Sequence, residues 1–269
     1  MKAHPDFAPV VYEWYDEGGD LRALIPMFRS DDVLEMAAGP HVDFQDVAAI
    51  DGEAAVEALS EILAVEGAET GRFIFPKVVA QSRLGEALAD PRLALTSVQE
   101  SRFFSLCPVA TLDLEPEGDF TYAIPARQRK DYRNAARRIS EQFPEHGVEH
   151  LGPGHFDPSL LDEAAMLHSE NQYRKKGESV CDDPAFVAFL KGLAVSGAPL
   201  CLSILRERED GPLLAFHLGY FERDTFFYYL TSYSERAAQC SPGRWLLVDA
   251  LRHWAGRTEG GRLRFDMLC

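Results

Sequence analysis

The chain has 269 residues, 46% of them hydrophobic and 26% charged, with 27 Lys and Arg against 43 Asp and Glu for a formal net charge of −16. This is ordinary globular composition, enough for one large or two small cores, and its acidity opposes long-range attraction to nucleic acid or anionic lipid, so a polyanionic ligand has to be held locally. No apolar run approaches the roughly 20 residues that cross a bilayer, and neither a leader at Met1-Lys2-Ala3-His4 nor a CxxC or metal-ligand spacing among the five cysteines is present, so a cytoplasmic protein with reduced thiols and no metal is expected.

In chain order, Val10 to Tyr15 and Leu21 to Phe28 are rich in β-formers and flank Asp16-Glu17-Gly18-Gly19-Asp20, which predicts a β-hairpin. Asp43 to Ile50 predicts another strand. Gly52 to Val65 places Ala55, Val56, Leu59, Ile62 and Leu63 on one helical face. Phe73 to Val79 returns to strand, Ser82 to Ala89 predicts a short helix stopped by Asp90-Pro91, and Arg92 to Ser105 another extended segment. The turn-rich Glu115-Pro116-Glu117-Gly118-Asp119, followed by Pro125, predicts a boundary between a first half, 1–125, and a second, 126–269.

The second half opens with a basic window, in which Arg127, Arg129, Lys130, Arg133, Arg137 and Arg138 meet only Asp131 as counter-charge. Propensity makes Ala126 to Phe143 a helix, with Tyr132, Ala135, Ala136 and Ile139 on one side, ended by Pro144. Its cations read as a solvated face, as a clamp for the phosphates of a ligand, or as a contact for RNA, the first being the default in so acidic a chain. Leu160 to Tyr173 follows Asp157-Pro158-Ser159 as a second helix, and Pro184 to Leu193 is a third, capped by Asp182 or Asp183. Leu200 to Arg206, Leu213 to Phe221 and Thr225 to Thr231 then predict an antiparallel meander. Ser241-Pro242-Gly243 opens a helix from Arg244 to about Ala255, and Arg262 to Leu268 ends the chain as a strand. The order helix, helix, three strands, helix, strand argues for a mixed α/β sheet with helices packed on it.

The most informative point is the strand-to-helix turn. Ser241 can cap, Pro242 suits the first helical position, and Gly243 removes a side chain where a ligand would approach the free amides. Such a start accepts phosphate, and Arg244 adds a charge-assisted bond, although Ser-Pro-Gly equally begins an ordinary helix.

The run Ser241-Pro242-Gly243-Arg244-Trp245-Leu246-Leu247-Val248-Asp249-Ala250-Leu251, the helix ending in Trp254-Ala255, and Arg264-Phe265-Asp266-Met267-Leu268 together resemble the C-terminal signature of BioF2-like, cellulose-biosynthesis-type GNAT acetyltransferases, relatives of the FemAB-like transferases. Arg127 to Ile139 resembles that family's arginine-rich helix, and Leu213 to Tyr233 its paired central strands. The first half matches more loosely, at Leu21 to Phe28 and His41 to Ile50. The resemblance implies an α/β (α+β) fold of two GNAT-like halves, each a mixed, largely antiparallel sheet flanked by helices, the first incomplete. Relatives usually begin earlier and run past the Asp266 strand.

It further implies an acyl-CoA, expected to be acetyl-CoA, bound by Gln239, Ser241, Pro242, Gly243 and Arg244. Direct transfer to an amine or hydroxyl of a sugar, lipid or envelope precursor needs a polarised carbonyl, a base and an acid for the thiolate. His217 and Asp266 are the candidate bases, Tyr229 and Tyr233, ahead of Tyr228, the candidate acids. Each of these also reads as an ordinary packed or hydrogen-bonded side chain. His168, Gln172 and Tyr173 are the candidate acceptor-binding residues; Gln172 and Tyr173 stand where relatives carry Arg and Trp. Cys240 reads as structural. Two other readings stay open: a GNAT-like scaffold without catalysis in polysaccharide assembly, and an aminoacyl-tRNA-dependent ligase. No nucleic-acid partner is expected beyond that last case, and the oligomeric state is open.

Overall fold

The hairpin at the start of the chain is built by its turn. Asp16 Oδ1 accepts from the amides of Gly18 and Asp20, each at 3.0 Å, Gly19 takes φ +85, and β1 (Ala8–Tyr15) returns antiparallel as β2 (Leu21–Ser30). The structure, a computed structural model, describes residues 8–37, 46–67, 70–93, 109–113, 126–259 and 262–266. The chain divides into two units, Met1–Ser105 and Leu106–Cys269.

In the first unit β2 also pairs with β3 (Val33–Met36) and with β4 (Ala48–Ala49), and β3 pairs in parallel with β5 (Arg72–Ile74). Alternate residues of β2, Ala23, Ile25 and Met27, are buried under α1 (Gly52–Glu66), whose Ala55, Leu59 and Ile62 complete the core. Asp51 caps α1 by accepting from the Ala54 amide at 2.8 Å. The strand expected over Asp43 to Ile50 is regular only at Ala48–Ala49, its first residues lying outside the described ones. The strand expected over Phe73 to Val79 stops at Ile74, because Pro76 has no amide to donate and Lys77 takes φ 50. Ser82 caps α2 (Arg83–Leu88) as expected. Pro91–Leu93 is a 3-10 turn, and the remainder of the predicted Arg92 to Ser105 segment, like the Glu115 to Asp119 turn, lies outside the described residues.

The second unit holds a six-stranded sheet in the order β6-β11-β10-β9-β8-β7. Its elements are β6 (Val109–Asp113), α3 (Ala126–Gln142), β7 (Gly147–Leu151), α4 (Leu160–Lys176), α5 (Pro184–Val195), β8 (Leu200–Arg206), β9 (Leu213–Glu222), β10 (Thr225–Tyr233), α6 (Pro242–Ala255) and β11 (Arg262–Asp266). The meander β8, β9, β10 is antiparallel, and α6 carries the chain across to β11, which runs parallel to β10. Strands β6 and β7 were not anticipated; β6 joins the second sheet from before the expected boundary at Pro125.

Both faces of this sheet are covered, so β8 is buried along nearly its whole length instead of alternating. Leu200, Leu202, Ile204, Phe216 and Leu218 pack against α4 and α5. On the other face Cys201, Phe226 and Phe265 meet Val248, Leu251 and Trp254 of α6, while Ile139 of α3 and Phe143 just after it pack with Leu205 and Leu246. The chain is thus mixed α/β, with two sheets flanked by helices.

Candidate active site at the start of helix α6

The ladder between β10 and β11 is short. Thr225, Phe226 and Phe227 face Arg264, Phe265 and Asp266; beyond Phe227 the same edge of β10 meets no strand among the described residues. On its other edge β10 bulges: the register with β9 slips between Tyr228 and Leu230, leaving Tyr229 as the extra residue. The bulge needs a glycine opposite, since a Cβ at Gly219 would stand 2.4 Å from the Phe227 carbonyl oxygen. A strand with one open edge and a local twist therefore leads toward α6.

A 3-10 helix, Glu235–Cys240, connects β10 to α6. It is held by α3: Arg138 Nη1 donates to the Gln239 carbonyl at 3.1 Å, Gln142 Nε2 to the Arg236 carbonyl at 3.0 Å, and the Cys240 thiol to Gln142 Oε1 at 3.0 Å. Ser241 then adopts a left-handed conformation, φ 53 and ψ 51, and its hydroxyl makes no capping bond. The expected serine cap is therefore not formed, because that backbone does not carry the side chain over its own helix. Pro242 is buried and Arg244 exposed. The amides of the first turn have no intrahelical acceptors. A Cβ at Gly243 would meet only Tyr233 Cδ1, at 3.8 Å. Behind the turn, His217 Nε2–H donates to the Gly243 carbonyl at 2.7 Å, anchoring it to β9.

Residues 126–269, more than half of the chain, match the acetyltransferase (GNAT) domain family. The chain belongs to that family. None of the curated proteins matches its sequence. Among solved structures it is similar to FemX, with 11% identity over 98% of this chain and 79% of that one and a TM-score of 0.63. It is similar also to L-PGS from Bacillus licheniformis, with 19% identity over 97% and 70% and a TM-score of 0.57. A third similar structure is the C-terminal domain of a putative lysylphosphatidylglycerol synthetase from Agrobacterium fabrum, with 16% identity over 97% and 69% and a TM-score of 0.56. At these identities the likeness is one of fold. The resemblance to GNAT acetyltransferases read from the Ser-Pro-Gly turn thus holds, and the chain is an acyltransferase.

Within this GNAT domain the expected site residues separate. His217 is buried and belongs to a row crossing four strands, His150, Ser203, His217 and Thr231, in register. Ser203 Oγ–H donates to His150 Nδ1 at 2.8 Å and His150 Nε2–H to Asp249 Oδ2 at 3.0 Å. Burial pushes the His217 pKa down to about 4, with the neighbouring His150 acting in the same direction, so the ring is neutral at pH 7. Buried, and with Nε2 committed to the Gly243 carbonyl, His217 is an anchor of the turn, and this geometry does not suit the base role expected for it. Tyr228 packs on His217 and Phe265, and burial raises its phenol pKa.

Tyr233 does reach the site, beside Gly243, with Lys175 Nζ 4.7 Å above its ring. Tyr229 lies on the other face, against Phe186 and Tyr220. Asp266, buried, ends the parallel ladder; since Phe265 packs toward α6, strand alternation sends Asp266 to the face that Tyr229 occupies. Of the residues expected to hold the donor, Gln239 has its carbonyl bonded by Arg138, and Arg244 Nη1 stands 3.6 Å from Asp131.

On α4, His168 is buried with Nδ1 bonded to Ser179 Oγ at 2.7 Å, and burial lowers its pKa. Buried and tied in this way to the following turn, it does not have the exposed position that the acceptor role expected for it would need. Tyr173 is exposed, whereas Gln172 Oε1 is buried without a hydrogen-bond partner among the described residues. The residue that joins α4 to the site is one the sequence reading missed. Buried Asn171 donates to Ser232 Oγ at 2.9 Å and to the Tyr233 carbonyl at 3.2 Å, fixing the end of β10. Its signal was an amide three positions after His168 on a helix face otherwise made of Leu and Ala.

Proposed function

We propose that the chain is an acyl-CoA-dependent N- or O-acyltransferase, with acetyl-CoA as donor, that transfers directly to an amine or hydroxyl of a sugar, lipid or envelope precursor in the cytoplasm. The observation that carries this reading is the turn at Gly243: uncapped, open in front, anchored behind, and at the positive end of a helix dipole. The amides of Gly243 and Arg244 receive the pyrophosphate and Arg244 contributes its charge. The pantetheine arm lies along the open edge of β10, where a strand amide near the Tyr229 bulge polarises the thioester carbonyl. The acceptor nitrogen or oxygen attacks that carbon, the C–S bond breaks, and the thiolate leaves with a proton. Tyr233, on the donor side, is placed to supply that proton. Asp266, with Tyr229 on the same face, takes the proton from the acceptor through water, a role His217 is too enclosed to fill. No metal enters this chemistry. No helix among the described residues is long and apolar enough to cross a membrane, in keeping with an enzyme that meets coenzyme A in solution.

Calorimetric titration with coenzyme A tests the donor. Saturable binding by the wild-type chain and its loss in Gly243→Glu support the proposal; absence of binding, or indifference to the substitution, removes acyl-CoA as donor.

A second reading, with aminoacyl-tRNA as donor, is favoured by the fold likeness to FemX and to lysylphosphatidylglycerol synthetases and by the exposed cations Arg127, Lys130, Arg133 and Arg137 on α3. It requires tRNA binding that weakens steeply with salt and is abolished by Arg133→Glu with Arg137→Glu.

A further inference from the structure

At the far end of α6 from Gly243 lies a cavity of about 370 Å³ that the transfer reaction does not use. Gly243 and Trp254 are eleven residues apart, which puts about 16 Å of helix between the two places. The walls include Phe221 and Trp254, whose ring centroids are 5.0 Å apart, together with His150, Gly152, His155 and Arg257. No acid among the described residues lines it, although acidic residues outnumber Lys and Arg by 43 to 27 in the chain.

Two observations indicate what such a space would hold. Arg257 lies over Trp254 at 5.2 Å and has no ion-pair partner among the described residues, so its charge is available at the mouth. His155 is exposed beside it, while both nitrogens of His150 are committed to Ser203 and Asp249, so that ring serves as wall.

The carbonyls that end α6 do not oppose an anion here as free helix ends would. Those of Arg252, Trp254 and Ala255 already accept from the amides of Gly256, Arg257 and Thr258. An apolar, aromatic-walled cavity of this volume is in the range of small-molecule sites, and among the described residues the uncompensated charge on it, that of Arg257, is positive.

We propose that this cavity is a second ligand site, for a small anion with a flat apolar body, an aryl carboxylate in chemical class. The ring lies against Trp254 and Phe221, and the carboxylate meets Arg257 and His155 at the mouth. The site is separate from the acyl donor site, and neither proposal depends on the other.

The test uses 2-naphthoate as probe and 2-naphthalenemethanol as its neutral counterpart, titrated calorimetrically into the full chain. Wild-type protein is expected to bind naphthoate saturably and the alcohol at least about tenfold more weakly. Arg257→Glu, at an exposed position, is expected to weaken naphthoate by at least about tenfold. Gly152→Leu should abolish binding, because a Cβ there already comes to 3.8 Å from Trp254 Cη2 and His155 Cδ2, so a larger side chain fills the space. Gly243→Glu should leave naphthoate binding unchanged. Equal affinity for the alcohol overturns the anionic class; no saturable binding, or binding that survives Arg257→Glu, overturns the site. Should Gly152→Leu not fold, Arg257→Glu decides alone.

Discussion

Helices α1 and α6 begin in opposite ways. Asp51 holds extended backbone and spends its carboxylate on the Ala54 amide of α1; Ser241 is left-handed and spends nothing on α6. The first helix settles its own leading amides and is scaffold. The second leaves them bare, places a glycine in front of them and a buried histidine behind, and is the candidate site. A cap omitted where a good capping residue stands is thus more informative than the capping residue itself, since the protein forgoes about 1 kcal/mol of local stability there.

The contrast is broken most severely at Gly243. Gly243→Glu sets a carboxylate where the proposed diphosphate site lies, and coenzyme A affinity by calorimetry is expected to fall by at least about 100-fold, repulsion adding to the lost contacts. The equivalent intrusion at the start of α1, Gly52→Glu, should leave that affinity alone.

The anchor behind the turn comes next. His217→Leu removes the donor to the Gly243 carbonyl and is expected to weaken coenzyme A about tenfold while lowering unfolding stability by about 1 to 3 kcal/mol. His217→Gln, which keeps a donor, should restore much of the affinity. A drop in stability with unchanged affinity in the leucine variant would show that the turn holds its shape unaided.

The same histidine sharpens the comparison through pH. Its folded pKa is depressed from an ordinary 6.5 to about 4, and that of His253 likewise falls to about 4. Between those values the unfolded chain binds more protons than the folded one, so stability is fully present above about pH 6.5 and is lost as pH falls toward 4. Each such group contributes a slope of up to about 1.4 kcal/mol per pH unit. Denaturant titrations at pH 7 and 5 should show the loss, and His217→Gln should reduce it.

The smallest effects distinguish the two helix starts directly. Asp51→Ala is expected to cost about 1 kcal/mol with coenzyme A binding intact, whereas Ser241→Ala should cost less than about 0.5 kcal/mol. A large stability loss for Ser241→Ala would mean that its hydroxyl caps α6 after all.

Much of this architecture was legible along the chain because it is written locally. The Asp16 to Asp20 turn, the apolar face of α1, the three runs of the meander and the Pro242-Gly243 helix start each carry their signal within a few residues. Strands β6 and β7 escaped because edge strands this short, such as Gly147-Val148-Glu149-His150-Leu151, lack a continuous apolar pattern and exist only through their partners. The site was half legible. Ser-Pro-Gly marked the turn, but the left-handed Ser241 is a backbone choice that serine does not advertise. His217 reads as a possible base on any strand; only the register that buries it beside Ser203 and beneath Gly243 reveals an anchor. Asn171 acquires its role from Ser232 and Tyr233, some sixty positions away, a relation no local window contains.

The proposed donor site rests on two amides, so an amide-resolved measurement tests it without intermediaries. In a ¹H–¹⁵N correlation titration with coenzyme A, the Gly243 and Arg244 signals should shift and saturate together, and should stay in place when pantetheine, which lacks the diphosphate, is added instead. Coenzyme A binding that leaves both signals unmoved would contradict the account.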